Sequence, residues 1–238
     1  MARYSSAWKA AMVGVVLVAA GMPAPAAAKA TAYVALPQEG DRPTHLKIRL
    51  LRYAGGTNGK ALVELKNSGK VAEVFVATGL YLVPDGAPGS APQRLGAAGP
   101  FEVDRGAGGW QAEERLEVAP GATERLRLQV FCIDSHRSSP GQGQGFKVGK
   151  TRLPAELSSK IAARTKAAIA KNGGRVESSI GEIQGEVWKA RNEAWVPLEG
   201  ERPHEKGAQS SATSEQLNID LDTLQRLRRQ RVESNDQR

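Results

Sequence analysis

Two short strings hold the residue types that could do chemistry: Phe131-Cys132-Ile133-Asp134-Ser135-His136-Arg137 and Ile183-Gln184-Gly185-Glu186-Val187-Trp188. Cys132 is the chain's single cysteine, so no internal disulfide can form. On an extended strand Cys132, Asp134 and His136 alternate toward one side, which is a three-ligand pattern for zinc or a related ion. A cysteine nucleophile with His136 as its base is disfavoured, because strand positions four apart are about 13 Å from one another. In the second string Gln184 stands four residues after Ile180 and four before Trp188, so all three share one helical face. A carboxamide buried on that face without partners would cost about 1–3 kcal/mol. Gln184 must therefore be satisfied, and one answer is that it bonds to backbone while Cys132 serves as a small core residue.

The elements that must position these residues follow from hydrophobic period. From Thr44 to about Ile133 the pattern alternates: Leu46, Ile48 and Leu50, then Val63 and Leu65, Val74 to Val76, Leu80 to Val83, Arg115 to Val118, and Leu126, Leu128 and Val130. Leu51 breaks the first alternation. Cys132 shares parity with Leu126, Leu128 and Val130 and is expected to point inward with them. Turn chemistry separates the runs at Gly55-Gly56-Thr57-Asn58-Gly59, Asn67-Ser68-Gly69, Pro84-Asp85-Gly86 and Pro120-Gly121. Six or seven such strands predict a mainly β fold, an immunoglobulin-like antiparallel β-sandwich over residues 31–145.

After Cys132 the character changes. A loop of Ser, Pro, Gly and Gln covers 138–145, and a helix is expected from Pro154, with Leu157, Ile161, Thr165 and Ile169 on one stripe, to a stop at Asn172-Gly173-Gly174. A second helix is expected from about Val176 to Trp195, with Val176, Ile180, Ile183, Val187 and Trp188 on its buried side. Gly181 and Gly185 each weaken it by about 1 kcal/mol, which packing must offset. Residues 146–197 thus complete the domain as two helices packed on the sandwich. Residues 198–213 read as a linker, and residues 214–238 as a basic C-terminal helix or tail carrying Leu221, Leu224, Leu227 and Arg226, Arg228, Arg229 and Arg231.

Residues 1–30 have the three parts of a secretory signal peptide: Arg3 and Lys9, an apolar run from Ala10 to Met22, then Pro23, Pro25 and small residues to Ala30. The run is shorter than the ~20 residues a membrane span needs, so no span is expected after cleavage. The expected location is secreted, periplasmic or at the cell surface, where a lone thiol calls for an explanation. The formal charge of +8 falls to +5 once Arg3, Lys9 and Lys29 leave with the leader. That mild charge, with aromatics at 5% of the chain, argues against nucleic acid as a partner. No cofactor is implied. No carboxylate pair, triad spacing or phosphate loop is present, so a turnover enzyme is not expected.

The string Leu65-Lys66-Asn67-Ser68-Gly69, Val74 to Val83, Val118-Ala119-Pro120-Gly121 and Leu126 to Val130 resembles sandwich modules of exported bacterial proteins. A cysteine near a strand's end followed by Φ-Q-x-x-Φ-W on a helix resembles the thioester domains of bacterial surface adhesins. The resemblance implies that the Cys132 thiol and the Gln184 carboxamide condense, losing ammonia, to an internal thioester that an amine on a partner protein or surface would attack. It implies that Trp188, one turn on, covers the bond; His136 and Arg137 follow the thiol directly, where they could shape access to it. The second motif is matched in full at Ile183, Gln184, Val187 and Trp188. The chain departs from that family in having no Thr-Gln-x-Ala string, no C-terminal wall-sorting signal and a compact spacing of 52 residues between the two side chains. These departures bear on surface anchoring more than on the bond. A non-covalent structural or interaction domain of the cell envelope, with Cys132 buried, is the competing expectation.

Overall fold

The computed structural model describes residues 31–38, 44–87, 90–141 and 143–201. The expected signal peptide, the last part of the expected linker and the basic C-terminal segment lie outside the described residues. The described chain forms ten strands and then two helices: β1 Val34–Ala35, β2 Leu46–Gly55, β3 Asn58–Asn67, β4 Glu73–Phe75, β5 Tyr81–Pro84, β6 Leu95–Asp104, β7 Trp110–Glu113, β8 Leu116–Val118, β9 Thr123–Cys132, β10 Phe146–Val148, α1 Ala155–Lys171 and α2 Ile180–Glu193.

The fold is mainly β and antiparallel throughout. One sheet runs in the order β1-β2-β3-β9-β6-β5-β10, with β7 also on β6, while β4 and β8 pair as a separate ribbon. The large sheet curls until it is nearly closed: Phe146 of the last strand meets Tyr53 of β2 edge to face at 5.4 Å. Alternation decides what lies inside. Leu46, Ile48, Leu50, Val63, Leu65, Leu126, Leu128, Val130 and Cys132 point into one buried core, which the ribbon closes with Phe75 and Leu116. Each such aliphatic side chain stabilises the fold by about 1.5–3 kcal/mol. The break in alternation at Leu51 coincides with a register shift between Leu50 and Arg52 in the β2–β3 pairing.

The opposite parity of β9 makes a second core. Phe131 and Ile133, with Ala98 and Tyr81, receive Leu157, Ile161 and Ala168 of α1 and Ile183, Val187 and Ala190 of α2. Both helices therefore pack on the outside of the sheet, as their apolar stripes require. α1 runs from just after Pro154 to Lys171, as the capping signals predict, but α2 begins four residues later than its apolar pattern suggests. Four strands, β1, β6, β7 and β10, fall outside the runs expected from the sequence. β6 reads Leu-Gly-Ala-Ala-Gly-Pro and shows no alternation, because Leu95 to Ala98 are buried whichever way they point and a bulge follows between Ala97 and Phe101. A side chain at Gly96 would meet Ile133 Cγ2 at 2.8 Å, so the outer core requires glycine there. β10 falls in the segment expected to belong with the helices, so the sheet extends to Val148.

Two of the turns meet. The Asn67 side chain is buried, with Nδ2 donating to Val71 O at 2.8 Å and Val118 O at 2.9 Å while Oδ1 accepts from Gly69 N at 2.8 Å. Gly121 N donates to Asn67 O at 3.0 Å, joining the Asn-Ser-Gly turn to the Pro-Gly turn, where Gly121 adopts φ +74°.

Candidate functional site

Cys132 is the last residue of β9, and its neighbour β3 begins at Asn58, opposite Phe131. The ladder on that side thus runs out where Cys132 still presents an N–H and a C=O. Thr57 O, in the β2–β3 turn, accepts the Cys132 N–H at 2.8 Å. Gln184, reaching from the first turns of α2, shares that N–H and caps the carbonyl: its Oε1 is the more distant acceptor of the Cys132 N–H, at 3.1 Å, and its Nε2 donates to Cys132 O at 2.7 Å. The carboxamide acts as the peptide group that the finished strand lacks. Its carbon, bonded to both of those atoms, is held beside the main chain of the residue that carries the sulfur.

The structure brings Cys132, Gln184 and Trp188 together and keeps water from them: they are 0%, 4% and 1% exposed. Trp188 leaves the outer core of its helix and joins the inner cluster that contains Cys132, its Nε1 donating to the buried Gln93 Oε1 at 3.3 Å. Tyr53 of β2 packs against the inner core that holds Cys132. Burial, and secondarily the charge the thiol can carry, hold its phenol well above the ordinary range. Its hydroxyl donates to Gly56 O at 2.6 Å, fixing the turn that carries Thr57. Where this turn meets the surface, the Thr57 and Ser139 hydroxyls are bonded at 2.9 Å, linking it to the loop beyond Cys132.

The chain beyond Cys132 is not strand, so the shared face that would let Cys132, Asp134 and His136 hold a metal together does not exist. Asp134 is instead buried against Arg94: Oδ1 takes Nη2 at 2.6 Å, and Oδ2 takes Nε at 2.6 Å and the Arg94 main-chain N at 3.1 Å. Burial alone would push this carboxyl up. The hydrogen bonds and charge of Arg94, with the charge of Arg137, outweigh it and hold the carboxyl below the usual carboxylate range. No cluster of three His, Cys, Asp or Glu side chains with metal-site geometry occurs among the described residues. His136 is half-buried with its ring 6.4 Å from that of Trp195, and Arg137 is buried with Nη2 donating to Gly200 O at 2.8 Å. Arg137 is thereby committed to the segment after α2. That segment also corrects the linker expectation at its start, since Leu198 is buried and Glu201 Oε2 accepts from Arg94 Nη1 at 3.0 Å.

Sequence reasoning missed Tyr53, Thr57, Gln93, Arg94 and Glu201. Tyr53 had a signal in its place on β2; the others lie in turns or after α2, where no period operates. A concavity of about 1500 Å³ lies elsewhere, between the outer face of the β4–β8 ribbon and α1, with Val74, Gly99 and Ala163 in its walls. No helix among the described residues is long and apolar enough to cross a membrane. No family model, no curated protein and no solved structure matches this chain.

Proposed function

We propose that this chain is an exported binding module of the adhesion type, carrying an internal thioester between Cys132 and Gln184 that acylates an amine on a partner. The observation that carries this reading is the docking of the Gln184 carboxamide on Cys132 in a water-excluded site. Condensation forms the Sγ–Cδ bond and breaks Cδ–Nε2, and the thiol proton leaves with the nitrogen as ammonia. An incoming primary amine then attacks Cδ and becomes an amide, while the sulfur departs and recovers a proton as the Cys132 thiol. Each molecule reacts once and stays attached to its target, so the module is not a turnover enzyme. Burial supports the chemistry by slowing hydrolysis, and docking the carboxamide on the Cys132 main chain shortens the path between its carbon and the thiol of the same residue. The Cys132 N–H, shared between Thr57 O and Oε1, is also a donor within reach of the oxygen on which charge develops during either acyl step.

One observation favours a second reading, a non-covalent interaction domain of the envelope. Gln184 Nε2 donates the shorter of the two bonds, to Cys132 O, and condensation would remove that donor. The intact mass of the secreted protein decides between them. The thioester reading expects the mature protein one ammonia below its sequence mass, and methylamine adding across the bond to leave it one CH2 above that mass, with both changes absent from Cys132→Ala. A full mass with a thiol that titrates after unfolding retires the covalent reading.

A further inference from the structure

We infer that Glu201 is a positioning residue for the Cys132–Gln184 pair, tying the strand that carries the thiol to the helix that carries the carboxamide. The inference rests on reading that pair as the working centre. After α2 the chain turns back along the molecule, and three buried arginines hold it. Arg191 Nη1 donates to Val196 O at 2.6 Å, Arg94 Nη1 to Glu199 O at 3.1 Å and Arg137 Nη2 to Gly200 O at 2.8 Å. Glu201 is where these ties converge. Its Oε2 lies 3.0 Å from Arg94 Nη1 and 3.5 Å from Arg191 Nη2, and accepts from Leu198 N at 2.9 Å.

The two guanidiniums belong to the two halves of the site. Arg94 grips Asp134, two residues beyond Cys132, and its carbonyl accepts from Ile133 N at 3.0 Å. Arg191 stands seven residues, two helical turns, after Gln184 and so on the same face of α2. Both are fully buried. Two such cations repel one another where the dielectric is low, and a carboxylate between them turns that repulsion into a bridge. The bridge fixes how closely the end of α2 approaches the end of β9, which sets the register of the carboxamide on Cys132.

Glu201→Gln keeps the shape and removes the charge. Glu199→Gln is the control: its carboxylate ties the same segment to Lys147 and to the Lys150 N–H, and touches neither Arg94 nor Arg191 through its side chain. The test uses the full secreted chain and reads the rate of modification at the site in native buffer. The reagent is methylamine if the parent mass is one ammonia short, or iodoacetamide on Cys132 if it is not. Amide exchange in β2 and β3 gauges opening of the whole domain. Glu201→Gln should raise the modification rate about tenfold or more with exchange in β2 and β3 unchanged, while Glu199→Gln stays within about twofold of the parent. A Glu201→Gln rate equal to the parent's, or one that rises only in step with β2–β3 exchange, overturns the inference. Should Glu201→Gln fail to fold, Arg191→Lys keeps the charge and loses the forked geometry; it must then raise the rate at the site, and an unchanged rate refutes the role. The parent mass reports separately on the thioester, so either idea can fail without the other.

Discussion

Replacing Gln184 by glutamate in a Cys132→Ala background isolates the hydrogen-bonding half of the site, because no thioester can form and the partners at 132 are main-chain atoms. The carboxamide both accepts from the 132 N–H and donates to the 132 carbonyl, at 3.1 and 2.7 Å. A carboxylate of the same size can only accept, and would set two oxygens against each other in a site that is 4% exposed at Gln184. A protonated carboxyl can still donate. Folding therefore raises the pKa of the carboxyl introduced at position 184 above its unfolded value of about 4.3. A raised acid binds more protons in the folded state, so the double variant is most stable below the unfolded pKa and loses stability as pH rises toward the folded one, by up to about 1.4 kcal/mol per pH unit. With one charge-opposed bond and one stranded donor or acceptor, the loss at pH 8 relative to Cys132→Ala alone should reach about 2–4 kcal/mol. Urea unfolding of the two proteins at pH 5 and pH 8 measures it. A difference that is the same at both pH values would refute the claim that Gln184 donates to the strand end.

Three further outcomes follow from the same geometry. Asp134→Asn should cost about 2–4 kcal/mol near neutrality by leaving the buried Arg94 short of charge. Because the folded Asp134 carboxyl lies below its unfolded value, its contribution is present above the unfolded pKa and lost as pH falls through the folded one, so the variant should show a flatter acid limb in a stability–pH series. Trp188→Ala should destabilise by about 3–5 kcal/mol through the cavity it leaves. Beyond that loss it should speed reagent access to Cys132, read as labelling rate under native conditions. Gly96→Ala should cost about 1–3 kcal/mol from overlap with Ile133 Cγ2, and a double-mutant cycle with Ile133→Ala should recover part of it; additive losses would contradict the contact.

What could be read from residues alone was what repeats. Leu126, Leu128, Val130 and Cys132 share a parity, and that parity places the thiol inside; Ile180, Gln184 and Trp188 share a helical face, and that face is the one that meets the strand end. The meeting itself was suggested by resemblance, since two elements separated by 52 residues of chain have no local pattern that joins them. β6 escaped because a strand buried on both sides, with Gly96 and Gly99 in it, has no amphipathic signature. The pairings of Arg94 with Asp134 and of Arg94 and Arg191 with Glu201 escaped because buried ion pairs look like surface charge in a sequence. The three-ligand pattern at Cys132, Asp134 and His136 failed for a related reason: alternation means one face only while the strand continues, and β9 ends at Cys132.

The competing roles of Gln184 separate at one atom. Oε1 does the same work in either case, since a thioester carbonyl can keep the Cys132 N–H that the amide oxygen now takes. Nε2 cannot, because condensation expels it and takes away the donor that Cys132 O uses. For the bond to form and persist, the packing of Trp188 and the Arg94–Glu201–Arg191 bridge must hold the carbon against the sulfur strongly enough to offset that lost donor. Weakening the bridge should therefore act in opposite directions on the two forms. It would speed amine attack on a formed thioester, and in freshly folded protein it would lower the fraction that condenses at all, which time-resolved mass measurement after refolding can follow.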